Sequence, residues 1–248
     1  MYNFFVDETK RQGEFYLITD DDYNHIKNVL RMKVGDNILV SSEGNSHLCS
    51  LKEFSGECAV AEIVEENYQD TSLPVKLYLF QGLPKSDKME FVIQKAVELG
   101  AEGIIPVEMS RCVVKLDDKK KKSKTARWQS ISESAAKQSK RMTIPKVYDV
   151  MTYKEALNFA NELDILLVPY ECKDGMLSTK NALEKIKSGM SVGILIGPEG
   201  GFDEKEIALA EEMGGITISL GKRILRTETA AVTALSMCML YAETELTE

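Results

Sequence analysis

The chain has 248 residues, of which 44% are hydrophobic and 28% are charged, a composition typical of a globular protein of one or two domains. Its apolar runs are too short to span a bilayer, and its N-terminus lacks the features of a secretory signal. Its five scattered cysteines and two histidines form no metal-binding pattern. We therefore expect a cytoplasmic protein with reduced thiols that neither spans a membrane nor binds a metal ion. The net charge of −8 speaks against a general attraction to nucleic acid.

Residues 1–70 contain short alternating segments that predict a small β-rich domain, either a barrel or a sandwich. Four segments are typical of strands, "GEFYLI", "NILVSS", "HLCSLKEF" and "CAVAEIV". A helix is predicted over "DDDYNHIKNVLRM", because Ile26, Val29 and Leu30 fall on one face. The polar segment "NYQDTSLP" reads as a linker, which predicts a second domain over residues 75–248.

From Val75 onwards, strand-like and helical segments alternate. The predicted strands are "VKLYLFQGL", "GIIPVEM", "DILLVPYE", "SVGILIG" and "GITISLG", and the predicted helices are "DKMEFVIQKAVELG", "KTARWQSISESAAKQSKR", "TYKEALNFANEL", "DEKEIALAEEMG" and "TETAAVTALSMCMLYAETE". This alternation predicts a mostly parallel sheet with helices on both faces. Ligands of such sheets bind at the carboxyl ends of the strands, where two glycine-containing turns, after "ILIG" and after "ISLG", are expected.

Basic residues are concentrated between residues 85 and 146, where 15 Lys and Arg stand against 8 Asp and Glu. The rest of the chain carries 16 basic and 31 acidic residues. This asymmetry predicts one basic surface on an otherwise acidic protein, the charge pattern expected of a polyanion-binding protein. For the run "DDKKKKSK" taken alone, a solvated helix face is the alternative.

The turn "GPEGG" at residues 197–201 indicates close approach of the backbone to a ligand, because its glycines directly follow an apolar strand. Two phosphate-binding fingerprints are excluded, since the G-x-G-x-x-G spacing is absent and "GITISLGKR" misses the Walker A spacing by one residue. Glu199 would repel a phosphate and suits a ligand with hydroxyls and cationic character. A tight turn with an exposed Glu is the alternative.

The segment "LGKRILRTETAA" at residues 220–231 follows the last predicted strand. A helix is predicted to begin at Thr227 or Glu228, with Thr227 as N-cap and Glu228 near the positive end of the helix dipole. Arg226 directly precedes this helix, and Lys222 and Arg223 add positive charge. Taken alone, the segment favours the simpler interpretation of a capped helix flanked by solvated arginines.

Together, "IGPEGGF" and "LGKRILRTETA" resemble the SPOUT class of methyltransferases and, within it, the RsmE family, which methylates N3 of a uridine in the 16S ribosomal RNA of the small subunit. The resemblance continues through "KMEFVIQKAVELGAEGIIPVEMSRCVVKL", "RWQSISESAAKQSKR", "IPKV", "FFVD" and "HIKNVLRMKVGD", nearly the whole chain. It implies an α/β fold with a parallel sheet and a C-terminal trefoil knot, preceded by a PUA-like RNA-binding β-barrel domain. Lys222 and Lys140 depart from the family, in which proline and glycine are common at these positions.

In that family the loops of the knot bind S-adenosylmethionine, mainly through backbone groups. The resemblance implies a cofactor pocket formed by Ile196, Gly197, Glu199, Gly200, Leu220, Gly221, Ile224, Leu225 and Arg226. We expect Arg226 to stabilise negative charge that develops on the uracil carbonyl oxygens. Glu199 or Glu228 could orient the base or accept a proton, with pocket bracing the alternative for Glu199 and a helix-start role the alternative for Glu228.

RNA contacts are expected from the basic segment and, secondarily, from the N-terminal domain. The candidates are Arg31, Lys33, Arg111, Lys115, Lys119, Lys120, Lys121, Lys122, Arg127, Lys137, Lys140 and Arg141. The C-terminal helix "AAVTALSMCMLYA" is apolar over more than one face, which favours burial between the sheet and a partner subunit in a homodimer. A buried core helix in a monomer is the alternative.

Two other functions stay open at the level of sequence. One is a knotted methyltransferase that acts on another RNA site, and the other is a non-catalytic RNA-binding factor in ribosome assembly. The presence of both C-terminal motifs argues against the second, because a protein that only binds RNA would not need both loops.

Overall fold

A computed structural model of the protein describes residues 1–85, 87–170 and 175–247. The chain divides into two compact units, one formed by residues 1–72 and 134–144 and the other by residues 73–133 and 145–248. The domains predicted from the sequence, residues 1–70 and 75–248, place residues 134–144 in the second domain, whereas these residues belong to the first compact unit.

The first unit contains one six-stranded, mostly antiparallel sheet in the order β1-β4-β5-β6-β3-β2. Its strands are β1 (Asn3–Phe5), β2 (Arg11–Gln12), β3 (Phe15–Ile18), β4 (Asn37–Ser42), β5 (Asn45–Ser55) and β6 (Cys58–Glu65). The four strands predicted from alternation are confirmed. Strands β1 and β2 were not predicted, because segments of three and two residues are too short to produce a periodic pattern.

The helical segment of this unit differs from a regular α-helix. Helix α1 (Asp20–Asn24) continues into a π-helical turn over His25–Val29, in which the Leu30 N–H donates to the His25 carbonyl at 2.8 Å. The wider turn shifts the apolar face. Ile26 is therefore fully buried, whereas Val29, predicted on the same face, is 63% exposed.

The second unit contains a parallel sheet, as predicted, in the order β10-β8-β7-β12-β11-β13, with β9 paired to β8. The strands are β7 (Lys76–Gly82), β8 (Ala101–Glu108), β9 (Lys146–Val147), β10 (Met151–Thr152), β11 (Ile165–Pro169), β12 (Ser191–Ile196) and β13 (Ile216–Ile218). The central strands are buried almost throughout, as expected of strands covered on both faces.

Six helices accompany this sheet within the described residues: α2 (Lys88–Glu98), α3 (Asp118–Gln138), α4 (Tyr153–Ala160), α5 (Met176–Leu183), α6 (Glu204–Glu212) and α7 (Thr227–Glu245). Helix α5 was not predicted. Helix α3 begins six residues before the predicted segment and includes the lysine run, most of which is solvent-exposed. Helix α7 packs on α2, β7 and β12, where Ala234, Leu235 and Cys238 are buried.

The C-terminus of α3 explains why glycine suits position 140. Lys140 has φ +57, in the left-handed region that favours glycine. The Arg141 N–H donates to the Ala136 carbonyl at 3.0 Å and the Lys140 N–H to the Lys137 carbonyl at 3.4 Å, the two bonds of a Schellman cap. Lys140 therefore closes this helix at a conformational cost of about 1 kcal/mol.

The described cysteines are free thiols: Cys49, Cys112 and Cys238 are buried and Cys58 is half-buried. Cys172 lies outside the described residues, as does Glu171 at the end of the predicted strand "DILLVPYE". No described helix combines the length and apolarity that crossing a membrane requires. Within the described ranges, no group of three or more His, Cys, Asp or Glu residues is arranged to hold a metal ion.

Candidate active site

A cavity of about 870 Å³ lies where the neighbouring parallel strands β11, β12 and β13 end. Its walls are residues 169–170, 196–199, 201–202 and 219–227, with Lys88, Arg111 and Ala230. The volume falls in the range of small-molecule sites, and the carboxyl edge is where open parallel sheets bind ligands. The fold therefore brings the two glycine-containing turns into one concave site.

Eight of the nine predicted cofactor-binding residues line this cavity: Ile196, Gly197, Glu199, Leu220, Gly221, Ile224, Leu225 and Arg226. Gly200 is not on the wall. A Cβ at this position would lie 2.9 Å from both the Cβ and the carbonyl oxygen of Arg111. The glycine at 200 thus permits close packing of the turn against residue 111, a tertiary requirement that sequence spacing does not reveal.

Two glycines give the turns conformations that other residues rarely adopt. Gly201 has φ +69, and its N–H donates to the Pro198 carbonyl at 2.9 Å, which closes the first turn. Gly221 has φ +102 in the second turn, and its N–H donates to the Ser219 hydroxyl at 3.2 Å. A side chain at either position would strain the backbone.

Thr227 is not the N-cap of α7, contrary to the sequence-based expectation; Arg226 occupies that position, without a side-chain capping bond. The Thr227 side chain is buried and connects two strand ends instead. Its Oγ1 donates to the Gly197 carbonyl at 2.6 Å and accepts from Gln81 Nε2 at 2.9 Å. Since Gln81 is fully buried at the end of β7, this chain of bonds fixes the start of the first turn to the sheet.

Gly82 allows the same turn to approach β7. A Cβ at Gly82 would lie 2.7 Å from the Pro198 nitrogen and 3.0 Å from the Gly197 carbonyl carbon. Because these are backbone atoms, the turn could not move away without being distorted. Neither Gly82 nor Gln81 was predicted from the sequence; the glycine near the end of "VKLYLFQGL" was the available signal.

Glu199 is held in place rather than freely exposed. Its Oε1 accepts from the Lys85 N–H at 3.0 Å and lies 3.2 Å from Lys88 Nζ. Burial raises the pKa of Glu199, but the N–H groups of Lys85 and of its own backbone, together with the Lys88 ammonium, outweigh this effect and leave the pKa below its ordinary value. The carboxyl group is therefore ionised at neutral pH.

A buried carboxylate, that of Glu206, joins the loop that follows β8 to the end of the first glycine-containing turn. Glu206 is only 6% exposed, and its side chain accepts from the Ser110 N–H and from the Asp203 N–H, each at 2.8 Å. The second bond belongs to a capping box with Asp203 at the start of α6. Arg111, a predicted RNA-binding residue, lines the cavity, and its Nη2 lies 3.5 Å from Oδ2 of Asp203.

The remaining predicted catalytic residues are placed differently. Arg226 lines the cavity and is exposed, as are its neighbours Lys222 and Arg223. Ile224, at the tip of the same turn, is 94% exposed. Glu228 does not line the cavity. Its Oε2 lies 3.3 Å from Nζ of Lys88, which does line the cavity.

The candidate RNA-binding residues fall into two groups. Four form contacts within their own unit that sequence alone did not indicate: Lys121 pairs with Glu108 at 2.8 Å, Arg127 with Glu90 at 2.8 Å, Lys137 with Asp22 at 2.9 Å, and Arg141 is 8% exposed. Arg141 is buried, and its carbonyl accepts a hydrogen bond from the Asn3 amide at 3.0 Å, so a phosphate contact of this residue stays a prediction. The other eight candidates are exposed: Arg31, Lys33, Arg111, Lys115, Lys119, Lys120, Lys122 and Lys140.

Comparison with known proteins identifies related chains over nearly the full length. The family model described as an RNA methyltransferase domain matches residues 71–239, and an RNA methyltransferase PUA domain matches residues 18–53. Ribosomal RNA small subunit methyltransferase E of Bacillus subtilis (strain 168) is 42% identical over 243 residues, 95% of each chain.

Solved structures agree with these sequence matches. Ribosomal RNA small subunit methyltransferase E from Neisseria gonorrhoeae, bound to S-adenosyl methionine, is 34% identical with a TM-score of 0.82 over 97% of each chain. A putative methyltransferase from Legionella pneumophila with bound cofactor SAM is 28% identical with a TM-score of 0.82 over 96% of each chain. The chain thus belongs to the ribosomal RNA small subunit methyltransferase E family.

Proposed function

We propose that this protein transfers a methyl group from S-adenosylmethionine to N3 of a uridine in the RNA of the small ribosomal subunit. Family membership supports the reaction class. The observation that carries the proposal is the single cavity that joins the 196–202 turn to the 219–227 turn at the carboxyl ends of three parallel strands. Action on ribosomal RNA implies a cytoplasmic protein.

The residues around the cavity fit a sulfonium cofactor. Gly197 and Gly221 present backbone to the cavity without a Cβ, which suits an adenine edge and a ribose. An ionised carboxylate, Glu199, stands on the wall and favours a cation over a phosphate. When bound, the cofactor supplies an electrophilic methyl group.

The chemistry left to the protein is positioning and charge stabilisation. For uracil N3 to take up that methyl group, its proton would have to pass to solvent, and negative charge would develop on the uracil carbonyl oxygens. Arg226 is the cation that we assign to the negative charge on the uracil carbonyl oxygens, because it is exposed at the cavity and directly precedes α7. We assign Glu199 a bracing role, since its carboxylate already accepts the Lys85 N–H.

RNA binding is assigned to exposed cations around this site and along α3. Lys222, Arg223 and Arg226 surround the cavity, and Lys119 and Lys122 are exposed on the first turns of α3. A uridine modified at N3 must be unpaired or flipped out, because N3 lies on its Watson–Crick edge. Phosphate contacts predict an affinity for RNA that falls steeply with salt.

We also propose that the chain from β12 to α7 forms the trefoil knot of this family. Support comes from the strand order: β13 lies at the sheet edge beyond β11, yet the following helix α7 packs on β7, β12 and α2 near the centre. The chain must therefore cross back after leaving the edge. A crystal structure traced from β12 to α7 tests this threading.

A homodimer is proposed from the outer face of α7. Leu240 is 55% exposed, and Met237 and Tyr241 line a second cavity with Met176 and Leu183 of α5. An exposed apolar surface of this kind is typical of a protein interface. Sedimentation of the wild type and of Leu240→Glu tests the dimer: we expect the variant to become monomeric, and a monomeric wild type would contradict the proposal.

The decisive experiment maps modified uridines in ribosomal RNA from cells with and without this protein. We expect one N3-methyluridine of the small subunit to disappear with the protein and to return when the purified enzyme and S-adenosylmethionine are supplied. Loss of a methyl group at another atom would indicate a different RNA methyltransferase. An unchanged RNA, together with no thermal stabilisation by saturating cofactor, would favour a non-catalytic RNA-binding protein.

A further inference from the structure

Lys88 occupies a position that helix electrostatics disfavours. It is the first residue of α2, where the positive end of the helix dipole repels a cation. Its side chain is nevertheless only 32% exposed and lines the cavity. The cause of this placement must therefore lie in tertiary contacts, which is why Lys88 was not predicted from the sequence.

Two carboxylates supply those contacts. The Lys88 ammonium lies 3.2 Å from Glu199 Oε1 and 3.3 Å from Glu228 Oε2. The Glu228 oxygen is buried and accepts no directed hydrogen bond from the described part of the chain. Lys88 is thus the cation that compensates this carboxylate, and it joins α2, the 197–201 turn and the first turn of α7.

Lys88 and Glu199 are both charged in the neutral range. The Glu199 carboxylate, and after it the Glu228 carboxylate, raises the pKa of Lys88 despite the partial burial of this side chain. Glu199 is ionised for the reasons given above. Without Lys88, Glu199 on the turn and Glu228 on the helix would lose the cation that they share, and the repulsion between the two carboxylates would no longer be compensated.

We propose that Lys88 is a positioning residue that sets the geometry of the cofactor pocket by holding Glu199 and Glu228 together. This inference rests on the proposed function, because the pocket is taken to bind S-adenosylmethionine. Lys88 acts through the position of the 197–201 turn, so its loss must affect every ligand of the pocket alike. A purely electrostatic role would instead distinguish a sulfonium from a neutral thioether.

The test compares Lys88→Met, Lys88→Arg and the control Lys95→Met, which removes an ion pair with Glu98 on the same helix, where Lys95 does not line the cavity. Equilibrium dissociation constants are measured for S-adenosylmethionine and S-adenosylhomocysteine. We expect Lys88→Met to weaken both ligands by about tenfold or more, with an unchanged ratio between them. Lys88→Arg should restore binding to within about threefold, since arginine keeps the charge and reaches both carboxylates. Lys95→Met should bind as the wild type does.

Kinetics and a double-mutant cycle give independent readouts. In Lys88→Met the KM for cofactor should rise while kcat at saturation stays within about threefold, because the reacting groups remain. Adding Glu199→Gln to Lys88→Met should weaken binding by less than the two single effects combined, since both act through one contact. Any of three results would overturn the proposal. They are additive effects of the two substitutions in the cycle, weaker binding of S-adenosylmethionine alone, and wild-type affinity of Lys88→Met for both ligands.

Three further outcomes concern stability and the underlying function. If Lys88→Met does not fold, Lys88→Gln replaces it, with the same expected loss for both ligands; wild-type affinity in that variant contradicts the inference. If the wild type itself binds neither ligand, the proposed function fails and this inference fails with it. If the wild type binds and methylates RNA but Lys88→Met is unaffected, only the inference fails.

Discussion

Thr227→Val is the substitution that most directly tests the connection between the sheet and the pocket. Valine has nearly the shape of threonine but lacks the hydroxyl that donates to the Gly197 carbonyl and accepts from Gln81. Each such bond contributes about 0.5–1.5 kcal/mol net, and their loss leaves the Gly197 carbonyl and the Gln81 amide without this partner. We therefore expect the free energy of unfolding to fall by about 2 kcal/mol.

Urea denaturation monitored by circular dichroism measures this loss. With a slope of about 2 kcal/mol/M, the transition midpoint should decrease by roughly 1 M. Cofactor affinity should also fall, because Gly197 lines the cavity. Thr227→Ser is the matched control: it keeps the hydroxyl and loses one methyl group, at a cost of about 0.8 kcal/mol. If the valine variant is as stable as the serine variant or more stable, the hydroxyl of Thr227 does not stabilise the connection between Gly197 and Gln81.

Four further predictions address other parts of the site. Gly82→Ala should lower the free energy of unfolding by about 1–3 kcal/mol and abolish cofactor binding, since its Cβ meets the backbone of the first turn; calorimetry measures both. Arg226→Ala should abolish RNA methylation without changing the thermal unfolding midpoint, because the side chain is exposed; methyl-transfer assays and thermal scans check this. Lys119→Gln combined with Lys122→Gln should reduce the slope of log affinity for RNA against log salt by roughly 1–2, as expected for two lost phosphate contacts. Between pH 6 and 9, kcat/KM should show no inflection from Glu199, because its pKa lies below the ordinary 4.5. The stabilisation that its carboxylate gives to the folded state is fully present above pH 4.5 and is lost only as the pH falls through the folded-state pKa.

Each of these predictions has a control on the same chain. Gly103→Ala crowds the same sheet but meets the rings of Tyr148 and Tyr78 rather than backbone, so it should leave cofactor affinity unchanged. Arg223→Ala removes the same charge from the same turn; it should weaken RNA binding but retain kcat at saturating RNA if Arg226 acts specifically. Lys180→Gln lies on α5, outside the basic segment, and should leave the salt slope unaltered. An inflection near pH 7 that disappears in Glu199→Gln would identify this residue as a base and refute the bracing role.

Much of the fold was predictable because it depends on local periodicity. The strands from β3 to β8, the alternation that produces a parallel sheet, and the position of both turns at strand ends all follow from the spacing of apolar residues and glycines. The short strands β1, β2, β9 and β10 have too few residues for such a pattern. Helix α5 was missed because "MLSTKNAL" has only a weak apolar face.

The site shows the same division between local and tertiary information. The sequence by itself determined the two turns and the charges that they carry, because glycine, proline and ionisable groups impose local constraints. Only the tertiary structure decided that Thr227 bonds to Gly197 rather than capping its helix, that Arg141 is buried, and that Lys88 joins two carboxylates. Each of these contacts joins groups more than 25 positions apart in the chain or depends on burial, and their energies arise only when folding brings such groups together and removes water from between them.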